Sequence, residues 1–65
     1  MMTYVVYFKW LDDGTEDTFN CNGYTDLKLN LENMKKRGEH TLLGLCRVSK
    51  YGEYIKMDIP KKYQF

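Results

Sequence analysis

The stretch NGYTDLKLNLENMKKRG, residues 22–38, decides the fold. Leu27, Leu31 and Met34 recur at i, i+4 and i+7, which draws one apolar stripe along a helix. Tyr24 extends that stripe at its start. Thr25 or Asp26 can accept from an orphan N–H of the first turn and so cap it. Lys35, Lys36 and Arg37 fill the last turn, where cations oppose the negative end of the helix dipole. Gly38 then supplies the left-handed residue on which helices commonly stop. The pattern predicts a helix over 25–37. Leu29 falls off the stripe, to be exposed or to cover a sheet edge.

Upstream, residues 4–11 read YVVYFKWL, a β-branched and aromatic run that suits a strand. Asp13-Gly14 is a two-residue hairpin signal, and residues 16–22 form the return strand. A turn at that dipeptide pairs Asp12 with Thr15, Phe8 with Phe19 and Val6 with Cys21. Tyr4 and Trp10 then share their face, and Val5, Tyr7 and Lys9 take the other. Downstream, residues 41–49 and 53–59 form a second hairpin around Tyr51-Gly52. Pairing Lys50 with Glu53 puts Val48 against Ile55, Cys46 against Met57 and Gly44 against Ile59, with Leu42 on the same face. Leu45, Arg47, Tyr54 and Lys56 fall on the opposite face. Pro60 stops the last strand because it cannot donate to a ladder. Lys61–Phe65 is a short basic and aromatic tail.

The expected architecture is therefore α+β with order ββαββ. It is a two-layer sandwich of one four-stranded, mainly antiparallel sheet with one helix on one face, in a single domain over 1–65. The expected core is Val6, Phe8, Phe19, Cys21, Leu27, Leu31, Met34, Leu42, Cys46, Val48, Ile55, Met57 and Ile59. One helix covers one side only. The open side carries Val5, Tyr7, Lys9, Leu11, Leu43, Leu45, Arg47, Tyr54 and Lys56, wet yet partly apolar and aromatic. Contiguous patches of that kind mark interaction surfaces.

Composition narrows the function classes. A chain of 65 residues buries only about 60% of the surface its unfolded form exposes, leaving little room for a deep cleft. Six Tyr, three Phe and one Trp exclude the composition of a disordered chain. The formal net charge is +1, but residues 1–32 hold six acids against two lysines, and residues 33–65 hold eight bases against three acids. Such polarity can steer an anionic partner or pair two copies. The apolar start is too short for a membrane span and lacks the flanks of a signal peptide. Two cysteines outside any C-x-x-C spacing point to reduced thiols in a cytoplasm. The absence of alanine and eight lysines against two arginines fit an AT-rich bacterial or phage genome.

No catalytic constellation stands out. Ser49 is the only serine, and no glycine-rich phosphate loop is present. Cys21, Cys46 and His40 are three scattered soft ligands where structural zinc takes four, so neither metal nor cofactor is expected. Asp12, Asp13, Glu16 and Asp17 match no calcium-loop spacing and read as turn formers. Residues 50–57 depart from the RNA-recognition-motif signature at Tyr51, Gly52 and Glu53, and a single helix does not suit that fold.

The expectation is a non-enzymatic binding or accessory protein acting through the open sheet face on a protein partner or on itself. Tyr7, Lys9, Leu45, Arg47, Tyr54 and Lys56 are the candidate contact residues. The alternative is nucleic-acid binding by the same aromatic and basic face together with Lys35, Lys36 and Arg37 at the helix end. Neither a membrane nor a small-molecule substrate is expected.

Overall fold

The computed structural model describes residues 2–64. Met1 and Phe65, the last residue of the expected tail, lie outside the described residues. Among the described residues, four antiparallel strands form one open sheet in the order β2-β1-β3-β4, and a single α-helix lies on one face. The strands are β1 (Thr3–Trp10), β2 (Glu16–Asn22), β3 (His40–Val48) and β4 (Tyr54–Met57). The helix α1 spans Tyr24–Arg37, and a 3-10 turn follows at Lys61–Tyr63. Strands β1 and β3 are central, so the two hairpins join through their inner strands.

Helix α1 buries Leu27, Leu31 and Met34, the expected stripe, and stops at Gly38 with φ 66°, its N–H bonded to the Met34 carbonyl. Leu29 is exposed. The start differs from expectation. Gly23 occupies the cap with no side-chain bond, and the helix begins one residue earlier, at Tyr24. Asp26 sits inside the first turn and reaches back instead, accepting the Asn22 N–H at 3.0 Å. A carboxylate there satisfies the backbone and faces the positive end of the helix dipole.

The first hairpin keeps its expected faces but not its pairing. Trp10 N–H donates to the Thr15 carbonyl and Gly14 N–H to the Trp10 carbonyl, so the loop is four residues, Leu11 to Gly14. Asp13 Oδ1 accepts from both the N–H and the hydroxyl of Thr15, at 2.9 and 2.7 Å. Those two bonds hold its carboxyl below the usual carboxylate range. The longer loop shifts the register by two, to Val6 opposite Phe19 and Tyr4 opposite Cys21. A shift of two leaves every side chain on its face. Leu11 leaves the sheet for this loop and is exposed.

Strand β3 corrects two expectations at once. Tyr7 pairs with Gly44 but Phe8 with Leu42, so Leu43 is an extra residue, a β-bulge. The bulge inverts the alternation beyond it. Leu45 turns to the helix side, opposite Val6, and is 3% exposed. Arg47 follows it to the same side, opposite Tyr4. Cys46 and Val48, expected in the core, move to the outer face. Ser49 N–H then donates to the Glu53 carbonyl across a three-residue loop, with Gly52 at φ 82°. That one added residue restores the expected side for β4. Met57 and Ile59 pack on the core, while Tyr54 and Lys56 stand opposite Val48 and Cys46.

The core gathers Tyr4, Val6, Phe8, Cys21, Leu27, Leu31, Met34, Leu45 and Tyr63 between sheet and helix. Tyr63 is an addition the sequence pattern missed. The tail folds back beside α1, the Tyr63 hydroxyl donates to Glu32 at 3.1 Å, and Lys35 Nζ donates to the Lys62 carbonyl at 2.6 Å.

Candidate functional site: an open sheet face and an aromatic groove

Helix and tail both lie on one side of the sheet, and among the described residues no segment covers the other side. Strand β1 presents Thr3, Val5, Tyr7 and Lys9 there, flanked by Thr18 and Asn20 of β2 and by Gly44, Cys46 and Val48 of β3. Tyr54 and Lys56 complete it on β4. Of the six residues expected to form this surface, Tyr7, Lys9, Tyr54 and Lys56 are in place. Leu45 and Arg47 are on the opposite side, turned there by the bulge. Their places are taken by Cys46 and Val48.

The centre of this face is apolar and firm. Val5 is only 5% exposed although no helix covers it, because Asn20 and Cys46 flank it on the neighbouring strands. The Tyr7 ring lies over Gly44, whose missing side chain leaves room for it. Desolvation, then the neighbouring Cys46 and Tyr54, raise the Tyr7 phenol above its usual pKa. Tyr7, Cys46 and Tyr54 are thus neighbours across three strands. Tyr54 remains 64% exposed and Leu43 stands out beside Tyr7, so a phenol, a thiol and branched carbons face water together.

Charge is split between two diagonal corners of the sheet. Asp12, Asp13, Glu16 and Asp17 cluster where β1 turns into β2. Lys50 and Lys56 lie at the far end of the opposite edge strand. On the outer face itself Glu16 and Lys56 carry this polarity, with Lys9 opposite Glu16, while Asp17 stands opposite Phe8 on the helix side.

The two cysteines differ in kind. Cys21 is fully buried on the helix side, 3.8 Å from the Asn30 amide. Burial, helped by Asp26, pushes its thiol up to about 11. Cys46 is half-buried on the outer face. Thiolate is the reactive form, and burial makes a thiol inert. Iodoacetamide at mildly alkaline pH is expected to modify Cys46 well ahead of Cys21 in the native chain, and both alike in urea. Mass spectrometry of the digested protein reads this directly, and Cys21 reacting first would contradict the register.

On the helix side, Lys35, Lys36 and Arg37 lie across the sheet from Tyr7 and Tyr54. Lys35 and Lys36 join Lys62 around Tyr63, a grouping invisible in sequence because the tail returns to the helix. Arg37 points elsewhere, into a groove of about 250 Å³ between the end of α1 and the top of the sheet. Phe8, Trp10 and Phe19 line it, with His40 and the Asn33 amide. Phe8 is the hub, with ring centroids 5.5 Å from Trp10, 5.8 Å from Phe19 and 5.2 Å from His40. His40 also lies 4.4 Å from the Trp10 ring. The imidazole is 6% exposed, and its Nδ1 is buried without a hydrogen-bond partner. Such an orphan costs about 1–3 kcal/mol. His40 drew notice in the sequence only as one of three scattered soft ligands, because its aromatic neighbours Phe8 and Trp10 lie on a different strand, β1.

The chain matches no protein-family model, and neither the curated proteins nor the solved structures contain a match to it.

Proposed function

We propose that this chain is a small non-enzymatic binding protein that acts through the outer face of its sheet, and that a second copy of itself occupies that face. The carrying observation is the bare row of Tyr7, Cys46, Val48 and Tyr54 on a sheet whose helix and tail both lie behind it. Tyrosine is enriched at interface centres. Charge supports a symmetric pair. A two-fold axis in the plane of the interface, along the diagonal that joins the two uncharged corners, lays the acidic corner of each copy over the basic corner of the other, with strands crossing near a right angle. Orthogonal packing is one of the two ways sheets stack. Four strands make a face roughly 20 Å by 25 Å, about 500 Å² per copy. A pair then buries about 1,000 Å², the lower bound for a specific interface. Two free thiols on opposite faces of the sheet suit a reducing cytoplasm, and the composition suits a bacterial or phage accessory protein. No helix among the described residues is long and apolar enough to cross a membrane.

Sedimentation over a concentration series tests this. The mass should rise from 7.8 kDa towards twice that value, less so in high salt. Tyr54→Ala with Lys50→Glu and Lys56→Glu should remain monomeric with an unchanged circular dichroism spectrum. Adding Glu16→Lys, on the outer face opposite Lys9, to the two charge reversals, with Tyr54 kept, should recover pairing. A wild-type monomer at all concentrations ends the self-association reading. Nucleic-acid binding on the same face would instead give a gel shift that vanishes steeply with salt. Its expected helper cations Lys35, Lys36 and Arg37 lie on the other side of the sheet, which favours the protein contact.

A further inference from the structure

We infer that the groove beneath the end of α1 binds a small planar aromatic anion, such as an aromatic carboxylate. It lies on the helix side of the sheet and is independent of the outer face. Three observations converge on this ligand class. First, four of the lining side chains are rings, Phe8, Trp10, Phe19 and His40, beside Asn30, Asn33 and Met34, and offset or edge-on contact with a further ring is the favoured arrangement. Second, among the described residues Arg37 is the only lysine, arginine or acid that lines the groove. A guanidinium pairs in two-pronged fashion with a carboxylate and also stacks on rings, and its positive charge repels a second cation from the same groove. Third, His40 Nδ1 is buried and unpartnered. An orphaned polar atom inside a native packing calls for a role or a missing partner. An acceptor oxygen brought in beside Arg37, with the imidazole turned to meet it, supplies one. The volume of about 250 Å³ lies just under the range for drug-sized ligands and fits one ring or two fused rings.

Trp10 is the only tryptophan, so its indole N–H resonance and its fluorescence report on the groove alone. The probe is benzoate, with benzyl alcohol and benzylamine as neutral and cationic counterparts of the same ring. Benzoate should give saturable shifts at the Trp10 indole N–H with a millimolar constant, as its few atoms allow. Benzyl alcohol should bind more weakly and benzylamine not measurably. Arg37 is exposed, so Arg37→Gln should leave the fold intact and weaken benzoate about fivefold, the size of one exposed ion pair. His40→Phe keeps a ring in place and should weaken it by a similar factor. Absence of saturable shifts, equal binding of benzylamine, or unchanged benzoate affinity in both variants would overturn the assignment.

Discussion

Leu45→Ala is expected to leave most of the chain unfolded at room temperature, whereas Leu43→Ala two residues away should be nearly silent. Leu45 is 3% exposed, stands opposite Val6 and Met57, and borders a cleft of about 140 Å³ shared with Leu27, Leu31 and Tyr63. Truncating a buried leucine costs about 2–5 kcal/mol. Losing those atoms next to an existing cleft enlarges it rather than letting the walls close, which points to the upper part of that range. A single-core domain of this size has only about 3–5 kcal/mol in total. Leu43 is the bulged residue, stands in water and supports no packing against the helix, and surface changes of that kind stay within about 0.5 kcal/mol. Urea titration followed by circular dichroism measures both. The reverse order, with Leu43 the costly one, would place the bulge elsewhere and turn the outer face inside out.

The same bulge explains what could and could not be read from the sequence. Helix α1 was legible because its stripe, its basic last turn and Gly38 are local features that agree with one another. The ββαββ order and the open side of the sheet were legible for the same reason, since two strand pairs flank one amphipathic helix. Registers were not. In the first hairpin, Asp13 prefers to fold its carboxylate onto Thr15. The resulting loop is longer than a two-residue Asp-Gly turn, and only the even shift kept Val6, Phe8 and Cys21 inside. In the second hairpin, two odd shifts occur. The extra residue at Leu43 inverts Leu45, Cys46, Arg47 and Val48, and the three-residue loop 50–52 restores β4. Nothing local marks Leu43 as a bulge, because Leu42, Leu43 and Leu45 are equally apolar. The choice of which leucine enters the core is made by packing against Val6 and the helix, a tertiary effect.

This accounts for the mixed outcome at the candidate surface. Tyr7 and Lys9 lie on β1, which carries no extra residue, and Tyr54 and Lys56 lie on β4 where the two odd shifts cancel, so these four residues are where the alternation put them. Leu45 and Arg47 lie between the two shifts and are on the wrong side. Cys46 and Val48 exchange places with them, which leaves the face apolar in character although its membership changes. The aromatic groove was out of reach for a different reason. It unites Trp10, Phe19, His40 and Arg37 from four elements, and its distinguishing feature, an unpartnered Nδ1, exists only once those elements have packed.

Tyr63→Ala should be as damaging as a truncation in the middle of the sheet, and Tyr63→Phe should not. Among the described residues the tail after Pro60 contributes no strand, and a chain segment with two lysines and an exposed proline would ordinarily be expendable. Here it carries an aromatic ring that is 3% exposed within the core cluster beside Tyr4, Leu27, Leu31 and Leu45. Removing such a ring costs about 3–5 kcal/mol, again the whole stability of the domain. Removing only the hydroxyl breaks the 3.1 Å bond to Glu32, a partly exposed contact worth about 1 kcal/mol. The 3-10 turn at 61–63 and the bond from Lys35 to the Lys62 carbonyl set the ring's approach. Lys35→Met should therefore fall between the other two variants. Urea titrations of the three proteins should rank them Ala, Met, Phe from least to most stable. The Ala variant should also bind a hydrophobic dye, because Leu27, Leu31 and Leu45 lose their cover. If Tyr63→Ala melts like the wild type and binds no dye, the tail does not close the helix side. It would then be free to reach the outer face of the sheet, the surface on which pairing of two copies depends.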